Sequence, residues 1–234
     1  MTLIDLKKDL KRLADVDKAK FLAGFFKTGK RQYAEGDIFW GITVPQQRKI
    51  AKKYSDLKLD RIKNLLESKI HEERLVGILI LVERFRNSDE KEKSKIFNFY
   101  LDNMAGVNNW DLVDLSAPNI VGSYLIDKKG ERDLLLKLAK SDNLWAKRIS
   151  IVATYSFIRK SEFSQTIKIA GILLHDKHDL IHKAVGWMLR EVGKKDQKIL
   201  EEFLLKHRMQ MPRTMLRYAI ERFDEEKRKF YLIK

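Results

Sequence analysis

The chain has 234 residues and 44% hydrophobic content, enough to bury a core as one domain or as a row of small units. It carries 48 Lys and Arg against 33 Asp and Glu, a net charge of +15, which points to a polyanionic partner, most simply nucleic acid. It has no cysteine, which excludes disulfides and thiolate zinc sites and fits a reducing cytoplasm.

The chain opens M-T-L-I-D-L-K-K-D-L-K-R, charged throughout and without the apolar centre of a signal peptide. No apolar run approaches the roughly 20 residues that span a bilayer, so no membrane association is expected. Pro45 marks a helix start, and L-V-G-I-L-I-L-V-E-R-F (75–85) repeats its apolar residues at three-and-four spacing. Ser88-Asp89 and Asn108-Asn109 are cap candidates, I-V-G-S-Y-L-I (120–126) reads as helix, and Pro212 precedes the helical M-L-R-Y-A-I-E-R-F (215–223). Strand-like alternation is nearly absent, and no Ser/Gly/Pro-rich linker divides the chain. The pattern predicts an all-α protein forming a single domain over 1–234.

Four of these helices align on a polar residue of the first turn: Arg74, Asp111, Arg148 and Lys183, at intervals of 37, 37 and 35 residues. Three positions later stand Gly77, Asp114, Ile151 and Gly186. That period, with two helices per unit, is the mark of an α-solenoid of HEAT or TPR type, expected as a right-handed stack whose inner helices line a concave groove. With the aligned slot at zero and about 100° per residue, Trp110 falls near −100°, Asp114 near −60°, Arg148 at zero and Trp187 near +40°. The opposite side collects Leu112, Val113 and Ala117, then Ile149, Ala153 and Thr154, then Ala184, Val185 and Leu189, which is a packing face. The stripe with the tryptophans, the acid and the arginine is therefore expected to face a basic groove. Gly77 and Gly186 each cost a helix about 1 kcal/mol relative to alanine, and close helix packing is the reason to expect them there.

The segment N-N-W-D-L-V-D-L-S-A-P (108–118) sets two acids and a tryptophan in an apolar run of a basic chain. Trp110 and Asp114, spaced i, i+4, project side by side. Either could be structural, the indole as a core anchor and the acid as partner of an arginine. Two indoles flanking a carboxylate also suit a cationic, sugar-bearing substrate: aromatic faces attract cations, and a carboxylate stabilises oxocarbenium-like charge. Asp111, about 60° from Asp114, serves as the comparison acid and is expected to matter less. His175, His178 and His182 invite a metal reading, but two of them fall in an inter-helix loop and no thiolate supports them, so no metal is assigned. Lys147, Arg148, Lys183, Arg190, Arg213 and Arg217, with Trp145, Trp187 and Tyr218, concentrate cations and rings in the C-terminal half.

With I-F-W-G-I-T-V-P-Q-Q-R-K-I (38–50), N-W-D-L-V-D (109–114), L-W-A-K-R (144–148) and H-K-A-V-G-W-M-L-R-E (182–191), the chain resembles the AlkD-type DNA alkylation-repair glycosylases over most of its length. The resemblance implies HEAT-like repeats and hydrolysis of the N-glycosidic bond of cationic N-alkylated purines, such as 3-methyladenine and 7-methylguanine, in duplex DNA. It implies Asp114 as the catalytic carboxylate and Trp110 and Trp187 as aromatic walls beside the damaged nucleotide. Arg148 is implied at the DNA backbone, with Tyr33 and Arg190 as further DNA contacts. No cofactor is expected, and the expected state is a monomer in the cytoplasm, on nucleoid DNA. Two other readings remain open from the residues: a non-catalytic solenoid that binds nucleic acid, and an adaptor whose groove takes acidic peptides.

Overall fold

The computed structural model describes residues 2–233. Among them regular structure is helical throughout, with one isolated parallel bridge, Ile38 to Ile70. The chain is an all-α protein of the helical-repeat solenoid class. It divides into two compact units at the end of the N-W-D-L-V-D helix, residues 1–116 and 117–234, and each is described on its own.

The first unit holds α1 (Leu3–Lys11), α2 (Val16–Phe25), α3 (Val44–Lys53), α4 (Leu59–Leu66), α5 (His71–Arg86), α6 (Glu90–Asp102) and α7 (Trp110–Ser116). Capping follows the polar residues read from the sequence. Pro45 occupies the first turn of α3, and Asp89 caps α6 by accepting the Glu92 amide at 2.8 Å. α5 is apolar around its circumference and so becomes the centre of the unit: every residue from His71 to Val82 is buried, packed by α3, α4, α6 and α7. Gly77 is where α4 comes closest, since an added Cβ there meets Leu65 at 3.3 Å and Leu66 at 3.4 Å.

Residues 27–43, between α2 and α3, are irregular. Ile38 tethers the segment to the start of α5, accepting the His71 amide at 2.9 Å and donating to the Lys69 carbonyl at 2.9 Å. The Glu72 carboxylate takes the amides of Trp40, Gly41 and Ile42 at 2.8–3.2 Å. Gly41 makes that turn possible. Its φ is +79°, and a Cβ would stand 2.2 Å from the Asp15 carbonyl.

The second unit opens with a π-helical turn, Ala117–Gly122, that runs into a short α8 (Ser123–Leu125). The uniform helix expected over 120–126 is thus partly π. Pro118 has no amide hydrogen for the i to i−4 ladder, and the wider turn accommodates the loss. Then follow α9 (Asp133–Ala139), α10 (Leu144–Ala153), α11 (Tyr155–Arg159), α12 (Ser164–Ile172), α13 (Asp179–Lys195), α14 (Gln197–His207), α15 (Arg213–Ala219) and α16 (Glu225–Leu232). α13 is central, packed by α10, α12, α14 and α15. Gly186 lets α15 approach: a Cβ there would lie 2.5 Å from the Met215 carbonyl oxygen and from Tyr218 Cβ. The packing explanation for both mid-helix glycines holds.

The expected packing face is observed. Leu112, Val113, Ala117, Ile149, Ala153, Thr154, Ala184, Val185 and Leu189 are all buried. The opposite stripe is less uniform than the repeat alignment implies. Trp110, Asp111, Asp114, Lys183 and Trp187 are half-buried, whereas Arg74, Gly77, Arg148, Ile151 and Gly186 are buried. Arg74 belongs to the enclosed α5, and Arg148 reaches inward to a carbonyl. Equivalence along the repeat therefore does not mean equal exposure. No helix among the described residues is long and apolar enough to cross a membrane.

Candidate active site

α7 is clamped at both ends. At its first turn the Asp111 carboxylate binds His71 Nε2 at 2.8 Å. The other imidazole nitrogen lies 3.4 Å from Asp37, which also receives Arg74 Nη2 at 2.6 Å and Asn109 Nδ2 at 3.3 Å. At the last turn Ser116 Oγ donates to the Leu112 carbonyl at 2.6 Å and sits 2.9 Å from the buried Tyr100 hydroxyl. Asp114 lies between these anchors on the partly exposed side of the helix. Its backbone is thereby placed by buried contacts on either side in sequence.

The charged network is almost entirely dry. The side chains of His71 and Arg74 are each 3% exposed and that of Asp37 is 8% exposed. Burial opposes the imidazolium, but the Asp111 and Asp37 carboxylates outweigh it and raise the His71 pKa above its ordinary value. Burial likewise opposes the Asp37 carboxylate, and His71 and Arg74 outweigh it, holding that pKa low. Asp111, the comparison acid, thus has a structural partner in His71. The cluster H-E-E-R (71–74) is the signal in the sequence: four ionisable residues in a row open a helix whose middle, 75–82, is apolar.

Trp110 is fixed by rings from the N-terminal segment. Phe26 stacks on it at 5.1 Å with the planes 10° apart, and Phe25 meets it edge-on at 6.0 Å. Phe39 stacks on Phe26 at 4.9 Å, and His71 packs against both, 4.5 Å from Phe39 and 5.0 Å from Phe26, so the four rings form one pile. The indole Nε1 donates to the Tyr33 hydroxyl at 3.2 Å. Tyr33, expected as a DNA contact, is thus joined to Trp110. Phe25, Phe26 and Phe39 went unnoticed in the sequence because their partners lie far along the chain.

The other expected residues belong to the second unit. Arg148 on α10 is buried, and Nη1 donates to the Leu180 carbonyl in the first turn of α13 at 2.5 Å. Trp187 on α13 is half-buried with its ring 6.0 Å from Tyr155. Arg190 is held by Glu191 at 3.3 Å and by Glu221. The histidine tract builds the turn into α13. His178 Nδ1 accepts the Leu180 amide at 3.1 Å, His182 Nε2 bonds the Asp176 carbonyl at 2.5 Å, and Lys147 pairs with Asp176 at 2.8 Å.

An all-α helical-repeat protein with a clamped Trp-Asp helix and a surplus of cations is the class these observations define. The chain belongs to the family described as DNA alkylation repair enzyme, whose model matches residues 6–223. No curated protein matches it. Among solved structures it is similar to a "Predicted DNA alkylation repair enzyme from Enterococcus faecalis", with a TM-score of 0.70 at 15% identity, covering 91% of this chain and 97% of that one. That likeness supports the fold. Family membership makes DNA the partner.

Proposed function

We propose that this family member is a DNA glycosylase that hydrolyses the N-glycosidic bond of cationic N-alkylated purines in duplex DNA. The observation that supports the reading best is the division of labour on α7. Asp111 is bound into the buried His71 network that sets the helix, and Asp114 stands one turn from Trp110 on the partly exposed side. A purine alkylated at N3 or N7 already carries positive charge, so it departs with little need of a general acid. The C1′–N bond breaks with its electron pair going to the neutralised base, and water adds at C1′, releasing one proton to the Asp114 carboxylate or solvent, to leave an abasic site. The Asp114 carboxylate stabilises the oxocarbenium-like sugar and orients that water. Trp110 offers a rigid indole to the cationic base. In the second unit Trp187 has the matching aromatic role and the half-buried Arg190 is the basic residue toward the backbone, whereas the buried Arg148 supports the start of α13 through the Leu180 carbonyl; the enzyme acts as a monomer.

The test is release of 7-methylguanine from methylated duplex DNA by the parent protein and by Asp114→Asn. Electrostatic stabilisation of this kind is worth about 10²-fold or more in rate. Asn retains the carboxylate's shape at a partly exposed position, so the fold survives and DNA affinity holds or tightens as one negative charge is removed. Full excision by Asp114→Asn excludes Asp114 as the catalytic carboxylate. No excision by the parent, with DNA binding intact, favours a non-catalytic DNA-binding solenoid.

A further inference from the structure

α2 is the one helix of the first unit's α1–α7 with no buried residue among those described, and it leaves two large rings in solvent. Phe21 is 70% exposed and Phe25 is 55% exposed. Their planes lie 14° apart with centroids at 6.2 Å, and Phe25 continues edge-on to Trp110. Exposed aromatic side chains in contact with one another are costly in water and mark a surface with a partner. From Lys18 to Tyr33 the sequence holds five cations, Lys18, Lys20, Lys27, Lys30 and Arg31, and no acid. All five are exposed, and Lys18 pairs with Asp15 at 2.8 Å.

The backbone beneath the cations is specifically shaped. Lys27 and Arg31 have φ of +55° and +61°, a left-handed conformation that costs non-glycine residues energy. The turn is held by the Arg31 amide on Glu35 at 2.8 Å and by the Gly29 amide on Gln32 at 2.9 Å. Beside the rings, Phe21, Leu22, Phe26, Phe39 and Val44 line an apolar recess of about 360 Å³ with Lys18 at its edge. That volume is at the small end of ligand sites.

We infer that Phe21 and Phe25 form a stacking platform for unpaired nucleobases, with Lys20, Lys27, Lys30 and Arg31 tracking the phosphates of the same strand. Aromatic faces set in a cationic surface are how proteins hold single-stranded nucleic acid: every base offers a π-face, and the phosphates follow the positive charge. Neutral bilayer contact would leave the cations unexplained, and an acidic peptide would satisfy the cations but leave the paired exposed rings without a stacking partner. The inference rests on DNA as the partner, but it assigns α2 a separate task, the capture of bases that have left the duplex stack around a lesion.

The experiment uses the whole chain and fluorescence anisotropy with three probes: a thymidine strand of about twelve nucleotides, a base-free strand of abasic spacers with the same number of phosphates, and phosphatidylserine-containing vesicles. The parent should bind the thymidine strand tenfold or more tightly than the base-free strand. Phe21→Ala/Phe25→Ala should bring thymidine binding down to the base-free level, and Phe21→Tyr/Phe25→Tyr should restore it. Phe25 also meets Phe26 and Trp110 edge-on, at 5.2 Å and 6.0 Å, so the alanine pair should keep the parent's circular dichroism but melt somewhat lower, and binding is compared well below that transition. Equal binding of the two strands by the parent overturns the proposal. So does an alanine pair that binds thymidine as the parent does, including the case in which it loses only vesicle binding. Excision by Asp114→Asn reports on the glycosylase reading and not on this one, so the two can fail separately.

Discussion

Phe26 is the residue through which the N-terminal segment holds the tryptophan of α7, and Phe26→Leu isolates that contact. Leucine keeps a comparable apolar volume at a position only 7% exposed, so the transfer and cavity terms stay small, within about 1.5 kcal/mol. What disappears is stacking against Trp110 at 5.1 Å and Phe39 at 4.9 Å, while the tilted contact with His71 at 5.0 Å and the edge contact with Phe25 at 5.2 Å become aliphatic packing. Aromatic pairs contribute about 0.5–1.5 kcal/mol each beyond their buried area, so the stacks together amount to about 1–3 kcal/mol. Denaturant titration of Phe26→Leu should show a loss of about 1–4.5 kcal/mol, the stacks together with the transfer and cavity terms. A double-mutant cycle with Trp110→Leu should return a coupling of about 0.5–1.5 kcal/mol for the direct pair. Excision of 7-methylguanine should slow along with stability, because the indole loses its backing. Additive stability losses with a coupling near zero would show that the ring pile does not hold Trp110, and the reasoning would fail.

The pH dependence of stability should expose His71. Its folded pKa is raised, so its contribution is fully present below the ordinary histidine value and is lost as pH rises through the folded value. The difference in unfolding free energy between parent and His71→Gln should therefore shrink as pH is raised from about 6.5, and a difference that grows refutes the assignment. Asp37 has the opposite sign. Its lowered pKa makes its contribution fade as pH falls below the carboxylate range, so Asp37→Asn should unfold nearly like the parent in strong acid and earlier at neutral pH. Binding to undamaged duplex DNA should weaken steeply with salt, with a log–log slope near −5 if about five or six phosphates are neutralised. A flat dependence would instead fit an adaptor for acidic peptides.

Local physics settled the class of this protein. Apolar residues at helical spacing, few prolines and a period of 35 to 37 residues are properties of neighbouring positions, and they suffice to place Arg74, Asp111, Arg148 and Lys183 within α5, α7, α10 and α13. The packing face was legible for the same reason, because a helix that buries one side must write that side in its own sequence. The pairing of Trp110 with Asp114 needed only the pitch of one helix. The environment of each residue did not follow from any of this. Arg148 and Lys183 share a repeat slot, yet one is buried on a carbonyl and the other is half-exposed beside Asp179 at 2.7 Å. Asp111 looked like a spare acid until His71, forty positions earlier, was brought to 2.8 Å. Phe26 and Phe39 stack with Trp110 and His71 only because residues 27–43 fold back onto α5, held by the Glu72 carboxylate. Such contacts join residues tens of positions apart, and their free energy depends on which groups the fold removes from water together. Helical periodicity carries no record of that. Tertiary structure alone decided which acid supports α7 and which rings hold its tryptophan.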